Sequence, residues 1–333
     1  PVDRVAPAPT LPAVSSTSPL RTAAVHALFF VSGATALLFE TLQVTALGRV
    51  FGQGPEAAAA TLTALFLGLA AGAWAWGRWS ARLANPLRVY GLLELAVAVA
   101  AGLGLVLTEL HRVLHALLPA GGGGLVGGLI VALVVVGPSA FFLGGTLPVL
   151  GAWVARGRAD LGRRASLLYA TNTAGAALGC VLGGFVLPPA LGFRATWIVT
   201  MAATACVGLA ALALGWSARS EPDAVDGGRT PAPLGLLAFL AGFLALALQV
   251  VWTRLLAQTF ENTVQTFATI VALYLLAIAF AGGLARWLAA RAWRPAGVLS
   301  GLLALSGLLV ALSGALLVLR TDGLERTAAG AGW

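Results

Sequence analysis

The chain has 333 residues, of which 59% are hydrophobic and only 10% are charged. A soluble domain carries about a quarter charged residues, whereas a helix that crosses a bilayer needs about 20 apolar residues. Apolar runs of that length recur along the whole sequence, so we exclude an ordinary soluble protein and predict an all-α polytopic membrane protein.

The formal net charge of +8 comes from arginine alone, since the sequence contains no lysine. The arginines are scattered between apolar runs and form no basic stripe, so we expect no nucleic-acid partner. Cys180 and Cys206 lie inside apolar runs without the spacing of a metal site, which predicts two small core residues. We predict no cofactor and no bound metal.

The apolar runs predict two membrane bundles with about nine transmembrane helices. Residues 1–21 are rich in proline, serine and alanine, which is typical of a disordered tail. The first bundle, 22–215, holds six helices, and the second, 234–320, holds three. A polar cytoplasmic linker, 216–233, separates the two bundles, and a C-terminal tail covers 321–333. The runs lie near residues 23–48, 57–77, 87–107, 125–143, 166–187, 193–215, 234–257, 264–285 and 296–319.

Arginine counts predict the orientation of these helices. Fourteen arginines flank the runs on one side and six on the other. Because cytoplasmic loops carry an excess of basic residues, we place the N-terminus in the cytoplasm of a bacterial inner membrane and the C-terminus in the periplasm.

Glu40 lies midway along the first run, where a charged side chain costs about 2.5–3.5 kcal/mol on insertion scales. It must therefore face a cavity, pair with Arg49 or Arg254, or take up a proton. One interpretation is a binding or relay carboxylate; the other is a structural polar anchor between helices, as Gln249 is in the second bundle.

Glu94 lies in the third run, about two turns after Pro86. It is placed to cap a helix or to pair with Arg78 or Arg88 near the cytoplasmic face. A lining that combines Glu40 and Glu94 would suit a cationic solute such as a polyamine.

His111 and His115 lie four residues apart, so a helix would place both imidazoles on one face. Two imidazoles are a weak metal candidate, because a third ligand on that face is not evident. The segment from 108 to 120 also fits a short amphipathic helix at the outer interface.

The fourth run continues into FFLGGTLPVLGAW. Proline removes a backbone donor and glycine lowers helix stability. We therefore predict a bend at Gly144, Gly145 and Pro148, followed by a short second piece that ends near Trp153.

The fifth run combines polar and glycine positions. Tyr169 and Asn172 are candidate ligand or cross-linking residues near its cytoplasmic end, and we predict that Asn172 meets the GGTLP segment. Gly175, Gly179 and Gly183 recur every fourth residue and predict a strip on which another helix packs. Pro188 and Pro189 are expected to stop the helix.

An internal repeat relates the first three runs to the last three. A shift of 209 residues places 31–51 over 240–260 without a gap and aligns Glu40 with Gln249. The register continues through Pro86 over Pro295. Such parallel triplets are found in transporters.

Several of these stretches resemble a known family. SGATALLFETLQVTALGRVFG (32–52), FLGLAAGAWAWGRWSARLANPLRVYGLLEL (66–95), GGTLPVLGAW (144–153) and LLYATNTAGAALGCVLGGFVLPPALG (167–192) resemble the membrane region of the fused MFS/spermidine-synthase-like proteins. That resemblance implies an MFS-like helical fold. The family's soluble synthase domain has no counterpart in this sequence, so the resemblance implies no catalytic residue here.

Two hypotheses for function remain. The first is a non-catalytic membrane subunit or scaffold that packs against other membrane proteins of a larger inner-membrane complex. The second is a transporter-like module for a small, polyamine-like solute, with candidate binding or relay residues Glu40, Glu94, Arg254, Gln249, Asn172 and Tyr169. The lipid bilayer is a partner in both.

Overall fold

The computed structural model describes residues 19–51, 55–110, 124–155, 161–216, 232–259, 264–289 and 295–320. Within these ranges every regular element is a helix, and nine helices are long and apolar enough to cross a membrane. The prediction of an all-α polytopic membrane protein with nine spans is confirmed. The N-terminal tail, most of the linker, the C-terminal tail, His111 and His115 lie outside the described residues.

Eight of the nine predicted runs correspond to one long helix each, whereas the fourth run, 125–143, is divided between a short helix and the start of the fourth span, Gly137–Ala155. The bounds of the helices are α1 Pro19–Phe51, α2 Pro55–Ser80, α3 Pro86–Glu109, α4 Gly124–Val135, α5 Gly137–Ala155, α6 Leu161–Val181, a π-helical turn Leu182–Val186, α7 Leu187–Leu191, α8 Phe193–Trp216, α9 Ala232–Thr259, α10 Val264–Ala289 and α11 Pro295–Arg320.

The glycine strip of α6 lies directly against the backbone of α1. A Cβ atom at Gly175 would overlap the carbonyl of Phe30, and one at Gly179 would overlap the carbonyl of Ala34. Contacts advance in the same direction along both helices, so α1 and α6 are parallel. Apolar helices in lipid gain little from hydrophobic burial, and backbones that approach closely through small residues supply the packing instead.

Helices α2 and α5 form a second close parallel pair. Gly68 faces Ala140 and Gly77 faces Pro148, so the contacts advance in the same direction along both helices. A Cβ atom at Gly72 or at Gly144 would overlap a backbone carbonyl of the other helix. The predicted division of the helix at Gly144, Gly145 and Pro148 does not occur, because α5 continues through all three residues from Gly137 to Ala155. The interruption comes earlier, at Val136, and backbone hydrogen bonds of 2.8 and 3.0 Å continue the helix through it.

Helices α3 and α8 form an antiparallel pair. Gly91 and Gly208 face each other, with a Cβ atom on either one only 2.7–2.8 Å from the other's carbonyl oxygen. Trp197, which is fully buried, donates its indole N–H to the Ala101 carbonyl at 3.1 Å. The three helix pairs together form the core of the first bundle.

Pro188 and Pro189 do not stop the helix as predicted. The π-helical turn precedes them, and it lets the Leu187 N–H bond to the Leu182 carbonyl. The prolines then fall in the first turn of α7, where a missing N–H costs little. The chain leaves the helix at Gly192, whose φ of 81° is a left-handed conformation that favours glycine.

The last three helices contact the first bundle mainly through α10. A Cβ atom at Gly184, in the π-helical turn, would overlap the side chain of Ala268 of α10. In contrast, the apolar spans of α9 and α11 have 0% of their residues buried, against 33–50% in the spans of the first bundle. Helix α11 is therefore exposed along almost its entire length, and α9 is exposed mainly in its first half.

Candidate functional site

A polar cluster lies inside the first bundle, where α1 meets α3. The Ser32 hydroxyl donates to Glu94 Oε1 at 2.5 Å, and the two side chains are 2% and 0% exposed. Tyr90 precedes Glu94 by four residues, so one helix face carries both side chains. Tyr90 is also completely buried, and its ring meets Phe29 edge to face at a centroid distance of 6.1 Å. We call Ser32, Tyr90 and Glu94 the carboxyl cluster.

Only the Ser32–Glu94 contact of this cluster is a hydrogen bond of regular geometry. The Tyr90 phenol lies close enough to interact with both Ser32 and Glu94. Its hydroxyl and Glu94 Oε2 nevertheless make no hydrogen bond of regular geometry with the described residues. Two hydroxyl groups around one carboxyl group can join two helices firmly. Because all three side chains are buried, the cluster presents no surface to a dissolved solute.

The predicted pairing of Glu94 with Arg78 or Arg88 is wrong. Glu94 faces α1, whereas the Arg78 guanidinium lies over the Trp74 ring at 5.4 Å and the Arg88 guanidinium lies over the Trp216 ring at 4.7 Å. Glu94 lies on the face of α3 that meets α1, whereas Arg78 is in the last turn of α2 and Arg88 is in the first turn of α3, and both stack on indole rings instead.

Glu40 occupies a different environment. It is partly buried on α1 and close enough to Cys180 of α6 for the two groups to interact electrostatically. One residue further along α1, Thr41 contacts the Gly183 position of the π-helical turn. The next residue of that turn, Gly184, meets α10. Glu40 therefore lies near the level at which the first bundle meets the last three helices.

Arg49 is not placed to neutralise Glu40. Its guanidinium lies over the Phe193 ring at 4.3 Å, at the far end of α1. The side chain of Arg254 lies outside the described residues, so that pairing stays a prediction.

The remaining candidates are spread over three helices. Asn172 lies against Gly33 of α1 rather than against the GGTLP segment. Tyr169 is 45% exposed and interacts electrostatically with Tyr274 of α10. Gln249 is partly buried on α9, where its carbonyl accepts a hydrogen bond of 2.8 Å from Thr253. These side chains do not share one site with Glu94.

Sequence reasoning missed several polar links within the bundle. Gln43 of α1 donates to Ser139 of α5 at 2.9 Å, and both side chains are buried. Ser32 was missed as the partner of Glu94. The four-residue spacing of Tyr90 and Glu94 was a usable signal for the carboxyl cluster, but nothing local identifies Ser32, which is 62 residues away from Glu94.

A second polar group caps the end of α8. The last four carbonyls of an α-helix lack intrahelical donors. Here Arg21 donates to the Leu214 carbonyl at 2.8 Å and Asn85 donates to the Gly215 carbonyl at 2.7 Å. Arg88 reaches the last carbonyl, that of Trp216, at 3.4 Å. Cationic donors at the negative end of a helix dipole stabilise it.

Comparisons with known proteins supply no relative. No protein-family model, no curated protein and no solved structure matches the chain. Among the residues that the structure describes, no group of three or more His, Cys, Asp or Glu side chains is placed to hold a metal ion. The length and apolar composition of its helices identify the chain as a multi-pass integral membrane protein.

Proposed function

We propose that this protein is a non-catalytic subunit or scaffold that packs against other membrane proteins through its last helices. The observation that carries the proposal is the outward exposure of α9 and α11, whose spans have 0% of their residues buried. The carboxyl cluster agrees with a structural role, because it joins α1 to α3 and is closed to solutes.

The surface of α11 supports contact with another helix. Gly307 and Gly314 lie seven residues apart and therefore on one face, with Ala304 and Ala311 beside them. A Cβ atom at either glycine would meet nothing within 4 Å. Within the first bundle, comparable glycines lie against the backbone of a neighbouring helix. Small residues are enriched where membrane helices pack together.

The test is extraction from native membranes in a mild detergent, followed by native mass spectrometry. We expect a stoichiometric complex that Gly307→Leu/Gly314→Leu releases without lowering the unfolding temperature of the chain. Leu309→Phe/Leu316→Phe, on the opposite face of α11, should leave the complex intact. A lone chain in the native extract, or equal release by both double variants, would contradict the proposal.

Glu40 favours a second candidate, a transporter-like module for a small cationic solute. A membrane carboxylate near the level where two helix groups meet is placed as relay groups are in transporters, and the resemblance to MFS-like proteins points the same way. In proteoliposomes, uptake of labelled putrescine should fall at least tenfold in Glu40→Gln and stay unchanged in Glu109→Gln, at the exposed end of α3. No uptake by the unmodified protein would exclude this candidate for putrescine.

A further inference from the structure

One end of the first bundle is strongly basic. At this end α1, α3 and α6 begin and α2, α5 and α8 end, as the parallel and antiparallel pairs require. The described side chains there include five arginines: Arg21, Arg78, Arg82, Arg88 and Arg164. No carboxylate lies among the described residues of this end. We call it the arginine end.

The five arginines do not have the same surroundings. Arg21 and Arg88 cap the last carbonyls of α8 and are held by the fold. Arg78 is exposed in the last turn of α2, and Arg82 is exposed in the turn that connects α2 to α3. Arg82 uses its backbone N–H in that turn, which bonds to the Trp79 carbonyl at 2.9 Å.

Exposed indole rings lie near Arg78, whose guanidinium is over the Trp74 ring at 5.4 Å. Trp74 is 68% exposed and Trp79 is 53% exposed. The Trp79 ring is held edge to face against Trp76 at a centroid distance of 5.8 Å. The indole nitrogen of Trp76 is buried and has no hydrogen-bond partner of regular geometry among the described residues. Exposed indoles at the ends of membrane helices lie at the depth of the lipid headgroups.

We propose that the α2–α3 turn, with Arg78 and Arg82, binds the phosphate group of an anionic phospholipid. Arginine presents a planar fork of donors that matches phosphate. No carboxylate among the described residues of the arginine end offsets its positive charge, so the charge is complementary to an anionic headgroup. The exposed indoles nearby indicate that the turn lies at the depth of the headgroups. This proposal is independent of whether the protein is a scaffold or a transporter.

Membrane topology alone does not require this arrangement. A topology signal needs a sufficient number of basic residues near the helix ends, in any geometry. Here two arginines cap α8 while two others lie on an exposed turn near exposed indoles. The proposal therefore predicts that lipid binding depends on Arg78 and Arg82 and not on arginine number.

The experiment titrates phosphatidylglycerol or phosphatidylcholine into the delipidated full chain in a non-ionic detergent, and native mass spectrometry counts the bound lipids. Because the protein is in detergent and not in a membrane, its transmembrane orientation cannot affect the result. Each basic residue near an anionic surface strengthens binding by about fivefold. We therefore expect Arg78→Gln/Arg82→Gln to weaken phosphatidylglycerol binding by about 25-fold and to leave phosphatidylcholine binding unchanged.

The matched control is Arg49→Gln/Arg194→Gln, which removes two arginines from the opposite end of the bundle and should change binding by less than about twofold. If the first double variant fails to fold, Arg82→Gln alone should give about a fivefold loss. Equal affinity for both lipids, or equal losses in the two double variants, would overturn the proposal. Displacement of phosphatidylglycerol by millimolar inorganic phosphate would assign the site to a soluble phosphate and also overturn it.

Discussion

Replacement of Gly179 by leucine tests the packing of α1 on α6. The Cβ atom of any side chain at this position would lie well inside the 3.4 Å at which ordinary contact with the Ala34 carbonyl begins. The obstacle is backbone, which cannot rotate away, so the two helices must separate. Overpacking of this kind costs about 1–3 kcal/mol. A loss of about 2 kcal/mol lowers the ratio of folded to unfolded protein by roughly 30-fold.

The thiol of Cys180 provides the assay. It follows Gly179 directly and is free and buried, at 1% exposed. A fluorogenic maleimide will label it when α6 leaves α1 on heating, in a Cys206→Ala background because Cys206 is exposed. At about 2–4 °C per kcal/mol for a domain of 150–250 residues, Gly179→Leu should lower the labelling midpoint by about 4–8 °C.

The matched control is Gly242→Leu on α9. A Cβ atom at Gly242 would meet nothing within 4 Å, and leucine has the higher helix propensity. This variant should therefore keep the midpoint of the parent or raise it slightly. An unchanged midpoint in Gly179→Leu, or an equal decrease in both variants, would refute the reasoning from backbone contact.

Three further substitutions probe polar links with the same thermal assay. Ser32→Ala removes the hydroxyl that donates to Glu94 and should lower the free energy of unfolding by about 1–3 kcal/mol, because a buried acceptor loses its partner. A decrease no larger than that of Ser306→Ala, on exposed α11, would count against this role. Trp197→Phe keeps an aromatic ring but loses the hydrogen bond to the Ala101 carbonyl, so we expect a loss of at least about 0.5–1.5 kcal/mol; a variant as stable as the parent would show that this bond adds nothing. Asn85→Ala removes both the N-cap of α3 and a donor to the end of α8. It should cost about 0.5–2 kcal/mol, and Asn85→Asp, which keeps the cap acceptor, should recover part of the loss.

The sequence predicted the helices well because the length of an apolar run is a local property. It predicted nine spans, and the described residues contain nine helices long enough to cross a membrane, although the fourth is Gly137–Ala155 and not 125–143. The prolines were harder to interpret. Pro148 lies within a helix. Pro188 begins one, after a π-helical turn that uses the Leu182 carbonyl. Proline interrupts a helix only where the freed carbonyl finds no other arrangement.

The polar site could be predicted only in part. The cost of a membrane carboxylate identified Glu40 and Glu94 without any structural knowledge. Their partners depend on which helix faces meet, and this is a property of the whole bundle. For Glu94, the sequence suggested nearby arginines, whereas the partner is Ser32 on another helix. The sequence pattern of one helix does not identify the residue of another helix that its side chains contact.

The parallel pairing of α1 with α6 has a consequence for biogenesis. Chains grow at about 5–20 residues per second, so Gly175 is made roughly 7 to 30 seconds after Phe30, its contact on α1. The Ser32–Glu94 bond spans 62 residues and becomes available well before that. During synthesis α1 is thus first held by α3 and must keep its other face accessible until α6 is inserted. A nascent chain arrested between the two events is the species in which a membrane chaperone would find the α1 backbone uncovered.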